Sequence, residues 1–156
     1  MTRLLTMLVA LICMGCASDL GYRADRDLTA GWEAPIRFDV PPQPSGLYDV
    51  FIHLRNDNNY PYANIYLIAR LQADSLTLHT DTLEYAMAEP SGKWLGTGFA
   101  AVKESRLYWR ENIQWKDSTN YRIEIEHAQR AQGSAQGHKN LPGIVSVGYS
   151  IVPKAE

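Results

Sequence analysis

Cys16 carries the most legible chemistry in this chain. A short positive head, Met1-Thr2-Arg3, leads into an apolar run from Leu4 to Met14, and Gly15-Cys16 closes it. A cysteine directly after a small residue, behind such a run, is what a lipoprotein signal peptidase accepts. Cleavage before Cys16 frees its amino group, and acyl chains join that nitrogen and the sulfur. The apolar run is about half the roughly 20 residues that a membrane-spanning helix needs, so residues 1–15 read as a removable signal. Each buried methylene contributes about 0.8 kcal/mol, so two or three long chains hold a protein on a bilayer where one myristoyl chain does so marginally. Cys13 occupies the −3 position, where such sites usually carry Leu, and Ile12 is too bulky to make Cys13 itself the acceptor.

Other chemistry-bearing residues point less far. Glu124 and Glu126 share one face of a strand, about 7 Å apart by strand rise, a spacing that suits paired carboxylates in glycoside hydrolysis. Arg122 lies on the same face, however, and alternating charge is the pattern of a solvated sheet face. His53, His79, His127 and His138 show neither the i, i+2 nor the i, i+4 spacing of a metal site. Gly96-x-Gly98 lacks the third glycine and the Lys-Ser/Thr of a phosphate loop. No serine sits in a G-x-S-x-G elbow. Trp94, Trp109 and Trp115 offer a sugar-stacking platform, but Trp109 and Trp115 share parity with Leu107 and Ile113 and read as core. No catalytic residue, metal or cofactor is expected, and the chain is read as a non-enzyme.

Composition bounds the rest. The mature part has about 140 residues, enough for one domain with its own core. Removing the signal takes Arg3 with it, leaving 14 Lys and Arg against 17 Asp and Glu, a net charge near −3. That balance is mild and evenly spread, which argues against nucleic acid or an anionic membrane surface as a partner. Both cysteines lie at or before position 16, so neither a disulfide nor a thiolate metal site is available to the folded body.

Residues 16–31 are polar and read as a lipidated tether, leaving 32–153 as the domain. Ile36, Phe38 and Val40 alternate with charge, and so do Tyr48, Val50, Ile52 and Leu54: two half-buried strands. Ile65 to Leu71 is apolar on both faces and reads as a central strand. Ser75 to His79 and Thr82 to Met87 read as two short strands with Leu76, Leu78, Leu83, Tyr85 and Met87 inward. Leu107 to Trp115 is interrupted at Glu111-Asn112 by a bulge or turn. Tyr121 to His127 and Val145 to Ile151 complete the set. Prolines, asparagines and glycines punctuate the intervals, and no long helix is expected. The pattern predicts an all-β, single-domain, two-sheet antiparallel β-sandwich of jelly-roll or immunoglobulin-like type.

Several stretches together resemble one family. The lipid signal, Asn59-Tyr60-Pro61-Tyr62-Ala63-Asn64, the Asp81–Gly98 stretch, and Val102-Lys103-Glu104-Ser105 with Glu111-Asn112 look like the gliding-motility lipoprotein GldH family of Bacteroidetes. The resemblance covers nearly the whole mature chain. It implies a non-catalytic outer-membrane lipoprotein, periplasm-facing, working beside other envelope proteins of the gliding machinery and the linked type IX secretion system. No catalytic residues carry over. Within that reading, loops 56–64 and 88–105 are the expected partner surfaces, through Tyr60, Tyr62 and Trp94. A surface carbohydrate-binding lipoprotein is the alternative. Asp74-Ser75-Leu76, Asp81-Thr82-Leu83 and Asp117-Ser118-Thr119 fit the short O-glycosylation pattern of that phylum, which makes Ser75, Thr82 and Ser118 candidate acceptors.

Overall fold

The computed structural model describes residues 21–130 and 136–154, so the signal region and Cys16 lie outside the described residues. Eight strands follow in order: β1 (Tyr22–Asp27), β2 (Ile36–Val40), β3 (Gly46–Asn56), β4 (Asn64–Ala73), β5 (Leu76–Ala86), β6 (Lys103–Trp115), β7 (Tyr121–His127) and β8 (Ile144–Pro153). They form two antiparallel sheets, ordered β1-β8-β3-β6 and β2-β7-β4-β5. The pairing is nested: β1 with β8, β2 with β7, β3 with β6, β4 with β5. The chain is thus one long antiparallel ribbon, bent back at Asp74-Ser75 and rolled, with β3–β8 and β4–β7 pairing to seal the roll. This is the strand order of a jelly roll, which decides between the two sandwich types that the pattern allowed.

Alternation explains which faces meet. Ile36, Phe38 and Val40 of β2, Val50, Ile52 and Leu54 of β3, and Ile123 and Ile125 of β7 are buried between the sheets. Trp109 and Trp115 are buried with them, as their parity predicted, and Trp115 stacks on Tyr121 with ring centroids 3.9 Å apart. Ile65, Leu67, Ala69 and Leu71 of β4 complete the interface.

Two readings are corrected. First, Tyr22–Asp27 is not tether: it is an edge strand, joined to β8 over six residue pairs from Tyr22–Ile151 to Asp27–Ser146. Its many charges masked it, because an edge strand needs few apolar side chains. Second, the segments at 75–79 and 82–87 are one continuous strand, β5, with a register shift opposite Leu71 and Gln72. Leu76 and Leu78 are not inward: Leu76 is 66% exposed, at the end of an edge strand beyond the opposing sheet. β8, between β1 and β3 in its sheet, is buried on both faces: Val147, Tyr149 and Ile151 lie in the core, and Gly148 and Ser150 lie under the side chains of Asp25 and His53. The interruption at Glu111-Asn112 is a bulge, with Asn112 at φ 56° and the β3–β6 register shifting beside it.

The roll has two unlike ends. Gly46 pairs with Trp115, and Val50 with Ile151, which in turn pairs with Tyr22. The short connections after β2, β4 and β6 therefore share one end, the base, with Gly21 and Lys154. The connections after β1, β3, β5 and β7 gather at the opposite loop end. No helix among the described residues is long and apolar enough to cross a membrane.

Because apolar packing is the main tie between the two sheets, Trp115→Ala should cost about 3–5 kcal/mol of unfolding free energy, read from the midpoint of urea denaturation. A loss below about 1 kcal/mol would mean that the Trp115–Tyr121 stack is not part of the core.

Candidate functional site

The loop end is built from the connections after β3 and β5, which the sequence had singled out. Asp57 accepts from Asn59 N–H at 2.8 Å and anchors the turn, while Asp57 N–H donates to Gly143 O at 2.8 Å. Gly143 has φ 77°, and a Cβ there would lie 2.0 Å from Tyr60 N, so only glycine lets these two loops meet. Ala63 O accepts from both Met87 N–H and Ala88 N–H, tying the second loop down. A tight turn closed by Glu89 N–H to Lys93 O and Gly92 N–H to Glu89 O then presents Trp94.

The three expected aromatics come together but are not equally accessible. Tyr60 is 3% exposed, and its hydroxyl donates to Asn64 O at 2.7 Å. It belongs to the core. Tyr62 is half-buried; its ring lies against Tyr60 and His138, and its hydroxyl is hydrogen-bonded to His138 Nε2. Trp94 is half-buried against Tyr60, with its indole N–H donating to Asn58 Oδ1 at 3.2 Å. Beyond them stands a prong that sequence reasoning did not name residue by residue. Thr97 and Glu104 exchange two backbone hydrogen bonds, Lys103 Nζ donates to Gly98 O, and residues 98–102 form the tip. Phe99 on that tip is 98% exposed, flanked by the exposed Leu95 and Val102. A lone Phe between Gly98 and Ala100-Ala101, with no alternating partner, was the available signal. A cleft of about 540 Å³ opens beside this group, lined by Glu33, Glu126, His127 and His138 among others. His127 Nε2 lies 2.9 Å from Trp32 O, and burial pushes its imidazole below the usual range.

The outer face of the β1-β8-β3-β6 sheet holds a second cluster. Ser150 Oγ lies 2.8 Å from His53 Nε2, and His53 Nδ1 lies 3.6 Å from Glu104 Oε1. The order serine, histidine, carboxylate resembles a nucleophilic triad, but the surroundings differ. Ser150 is buried in the middle of β8, whose backbone donors are spent on ladders to both neighbours, so none is left to hold an oxyanion. Glu104 accepts from Arg23 at 2.8 Å and from Arg55 at 3.0 Å, and Arg23 also grips Asp25. The cluster works as an ion-paired clasp from β1 across the sheet to β6. Gly148 makes room for it: a Cβ there would meet Asp25 Oδ1 at 2.3 Å.

The paired carboxylates on β7 are likewise committed. Glu124 is buried rather than solvated, and its two oxygens accept from Arg37 and Arg70, while Arg70 also donates to Glu126 at 2.8 Å. Burying Glu124 is tolerable because both oxygens are satisfied by cations. For a sugar platform, only Trp94 of the three tryptophans retains exposure. Among the described residues, no group of three or more His, Cys, Asp or Glu is placed to hold a metal ion. Ser75, Thr82 and Ser118 are all exposed, the first and last on the base and Thr82 along β5.

Comparison with known proteins gives a consistent family. The GldH lipoprotein family model matches residues 22–151. A gliding motility lipoprotein GldH of Flavobacterium johnsoniae is 34% identical over 151 residues, covering 95% of this chain and 94% of that protein. A gliding motility lipoprotein GldH homolog of Christiangramia forsetii is 43% identical over 105 residues, covering 67% of this chain and 65%, just under two thirds, of that protein. No solved structure matches.

The clasp predicts an acid-sensitive stability with two components. Hydrogen bonds from Arg23 and then Arg55 hold the Glu104 carboxyl down at about 2, against an ordinary 4.5. Its stabilisation is therefore present above pH 4.5 and lost as pH falls from about 4.5 toward 2, an effect on the order of 1–3 kcal/mol after allowance for partial exposure. Burial, and next the Arg23 charge, push His53 below its ordinary 6.5, although Asp25 and Glu104 pull the other way. The unfolded chain takes up that proton first, so stability begins to fall below pH 6.5. Thermal melts against pH should show both declines. Glu104→Gln should remove the lower one and His53→Gln the upper one.

Proposed function

This chain belongs to the GldH lipoprotein family, and from that premise we propose that it is a non-catalytic, lipid-anchored component of the gliding machinery and its linked secretion system. In this reading Cys16 carries the acyl chains, the protein sits on the outer membrane facing the periplasm, and it assembles or stabilises other envelope proteins. The observation that supports docking most directly is the fully exposed Phe99 with Leu95 and Val102 beside it. An aromatic side chain with no intramolecular partner, held up on a tied-down loop, suits insertion into an apolar pocket of another protein. Trp94 and Tyr62 form the rim behind it, and Tyr60 fixes both loops from beneath. Anchoring on one membrane face raises the local concentration of co-anchored partners, so a contact of modest area suffices. Ser75, Thr82 and Ser118 remain candidate glycan acceptors, each with an exposed hydroxyl.

Phe99→Ser should leave stability within about 0.5 kcal/mol of wild type, as expected of a substitution at a surface without partners. It should nevertheless deplete envelope proteins co-purified after mild detergent extraction. Unchanged co-purification would remove the prong from the interface. For the anchor, Cys16→Ser should abolish metabolic labelling with palmitate and release the protein from the membrane fraction; persistent labelling would place the lipid elsewhere.

A further inference from the structure

The base of the roll carries a belt of exposed apolar residues that neither the family nor the docking prong explains. Leu47 at the start of β3 is 43% exposed, and Leu76 and Leu78 at the start of β5 are also exposed. Gln114 joins the two halves of this belt. It lines one hollow with Pro44, Leu47 and Pro153, and a second with Leu76 and Leu78. Lys116 and Lys154 stand on the same end, and neither is in an ion pair among the described residues; Lys154 Nζ donates to the neutral Asn112 Oδ1 at 2.6 Å. Asp74 and Asp117 share this end too, so the two lysines are balanced by two carboxylates, Asp74 accepting from the neutral Asn120, and the leucines rather than net charge are what favour lipid.

We propose that this base is a lipid-contacting surface, resting its leucine belt and two lysines on the leaflet that holds Cys16, with the Phe99 prong turned directly away. The inference rests on the anchor reading of Cys16 and takes Ser75 and Ser118, which share the base, as unglycosylated. Four residues separate Cys16 from Gly21, where the base begins, and those five residue-to-residue steps reach at most about 18 Å. The roll is about 33 Å tall, from the steps between the 11 residues of β3 at a rise of roughly 3.3 Å per step. The leash is therefore too short to let the molecule turn over and bring its loop end to the same membrane. Interfacial contact fits the composition of the base. Leucines enter the boundary between headgroups and acyl chains, and lysines meet phosphate oxygens from above. The two flanks present the ion-paired faces of the sheets, which have less to gain from lipid.

The mature chain holds no cysteine other than Cys16, so single cysteines can report on orientation. Lipidated protein would be reconstituted into phosphatidylethanolamine–phosphatidylglycerol vesicles with a headgroup-linked quencher. Environment-sensitive dyes would be placed at Ser75→Cys on the base, Thr80→Cys and Tyr108→Cys on the flanks, and Phe99→Cys on the prong. The Ser75 dye should be quenched several-fold more than the Phe99 dye, with the flank dyes close to the latter. Adding Leu76→Asp and Leu78→Asp should at least halve the Ser75 quenching while the protein still floats with the vesicles. Equal quenching at all positions, or stronger quenching on a flank or on the prong, overturns the orientation and leaves the anchor standing. Quenching at Ser75 that survives the double Asp variant overturns the leucine contact. Protein that fails to float overturns the anchor itself and this inference with it.

Discussion

Burial of apolar side chains between two four-stranded sheets is the interaction on which everything else here depends. No covalent staple supplements it, since both cysteines lie at or before position 16. Period-two alternation makes that burial demanding: a one-residue slip of any strand would send its apolar set to the solvent side. The chain guards register with features that only one alignment satisfies. The Trp115–Tyr121 stack ties the end of β6 to the start of β7, and the Asn112 bulge absorbs one shift in β6. The Arg23–Glu104–Arg55 clasp fixes β1 against the far edge of its own sheet. On the opposite sheet, Arg37 and Arg70 fix Glu124 in the same manner.

Asp81 shows how the sheets are also closed along one side. Its carboxylate accepts from Trp109 Nε1 and from both the Nε and the terminal nitrogen of Arg110, joining edge strand β5 to edge strand β6. The Arg110 guanidinium holds the Asp81 carboxyl below the usual carboxylate range. Tyr85 adds a hydroxyl donated to the Tyr108 carbonyl, capping an acceptor on the open edge of β6. Free edges invite pairing with other chains. This side-chain closure, together with the charged β1 on the other side, leaves the prong at the loop end as the most prominent unpartnered feature.

Most of the fold was legible in the sequence wherever one face is buried. The alternation in β2, β3 and β7, and the inward parity of Trp109 and Trp115, transferred directly into the core, and β4, read as a central strand, lies between β7 and β5 although Tyr66 on its outer face is exposed. Legibility failed at the edges, where burial no longer dictates residue type. β1 is polar because only its Tyr22 and Ala24 lean on the core, so it passed for tether. β5 was divided because its Leu76 and Leu78 look like core residues in sequence yet lie past the opposing sheet. The number of strands matched only because a missed first strand offset a strand counted twice. At the loop end, the sequence located the loops but misjudged one of their aromatics, Tyr60. Tyr60 is structural because Gly143, more than eighty residues away, admits it to the core, and no local pattern carries that information. Glu124 and Glu126 were read as a solvated face, but Glu124 is buried, and the arginines that pair with the two carboxylates come from β2 and β4, which spacing within β7 cannot reveal.

The nested pairing has a mechanical consequence. The strand nearest the anchor, β1, leaves the base at Tyr22 and lies antiparallel to β8. If the lipid end is held and a partner pulls on the loop end, tension runs along the strand axis, while the ladder hydrogen bonds lie across it. All six residue pairs then bear the load together, in shear, and cannot be peeled apart one at a time. The salt bridge from Arg23 to Glu104 carries the same load past β8 and β3 to β6. An anchor joined through an edge strand in this geometry resists traction far better than the same strand would if pulled sideways from its sheet.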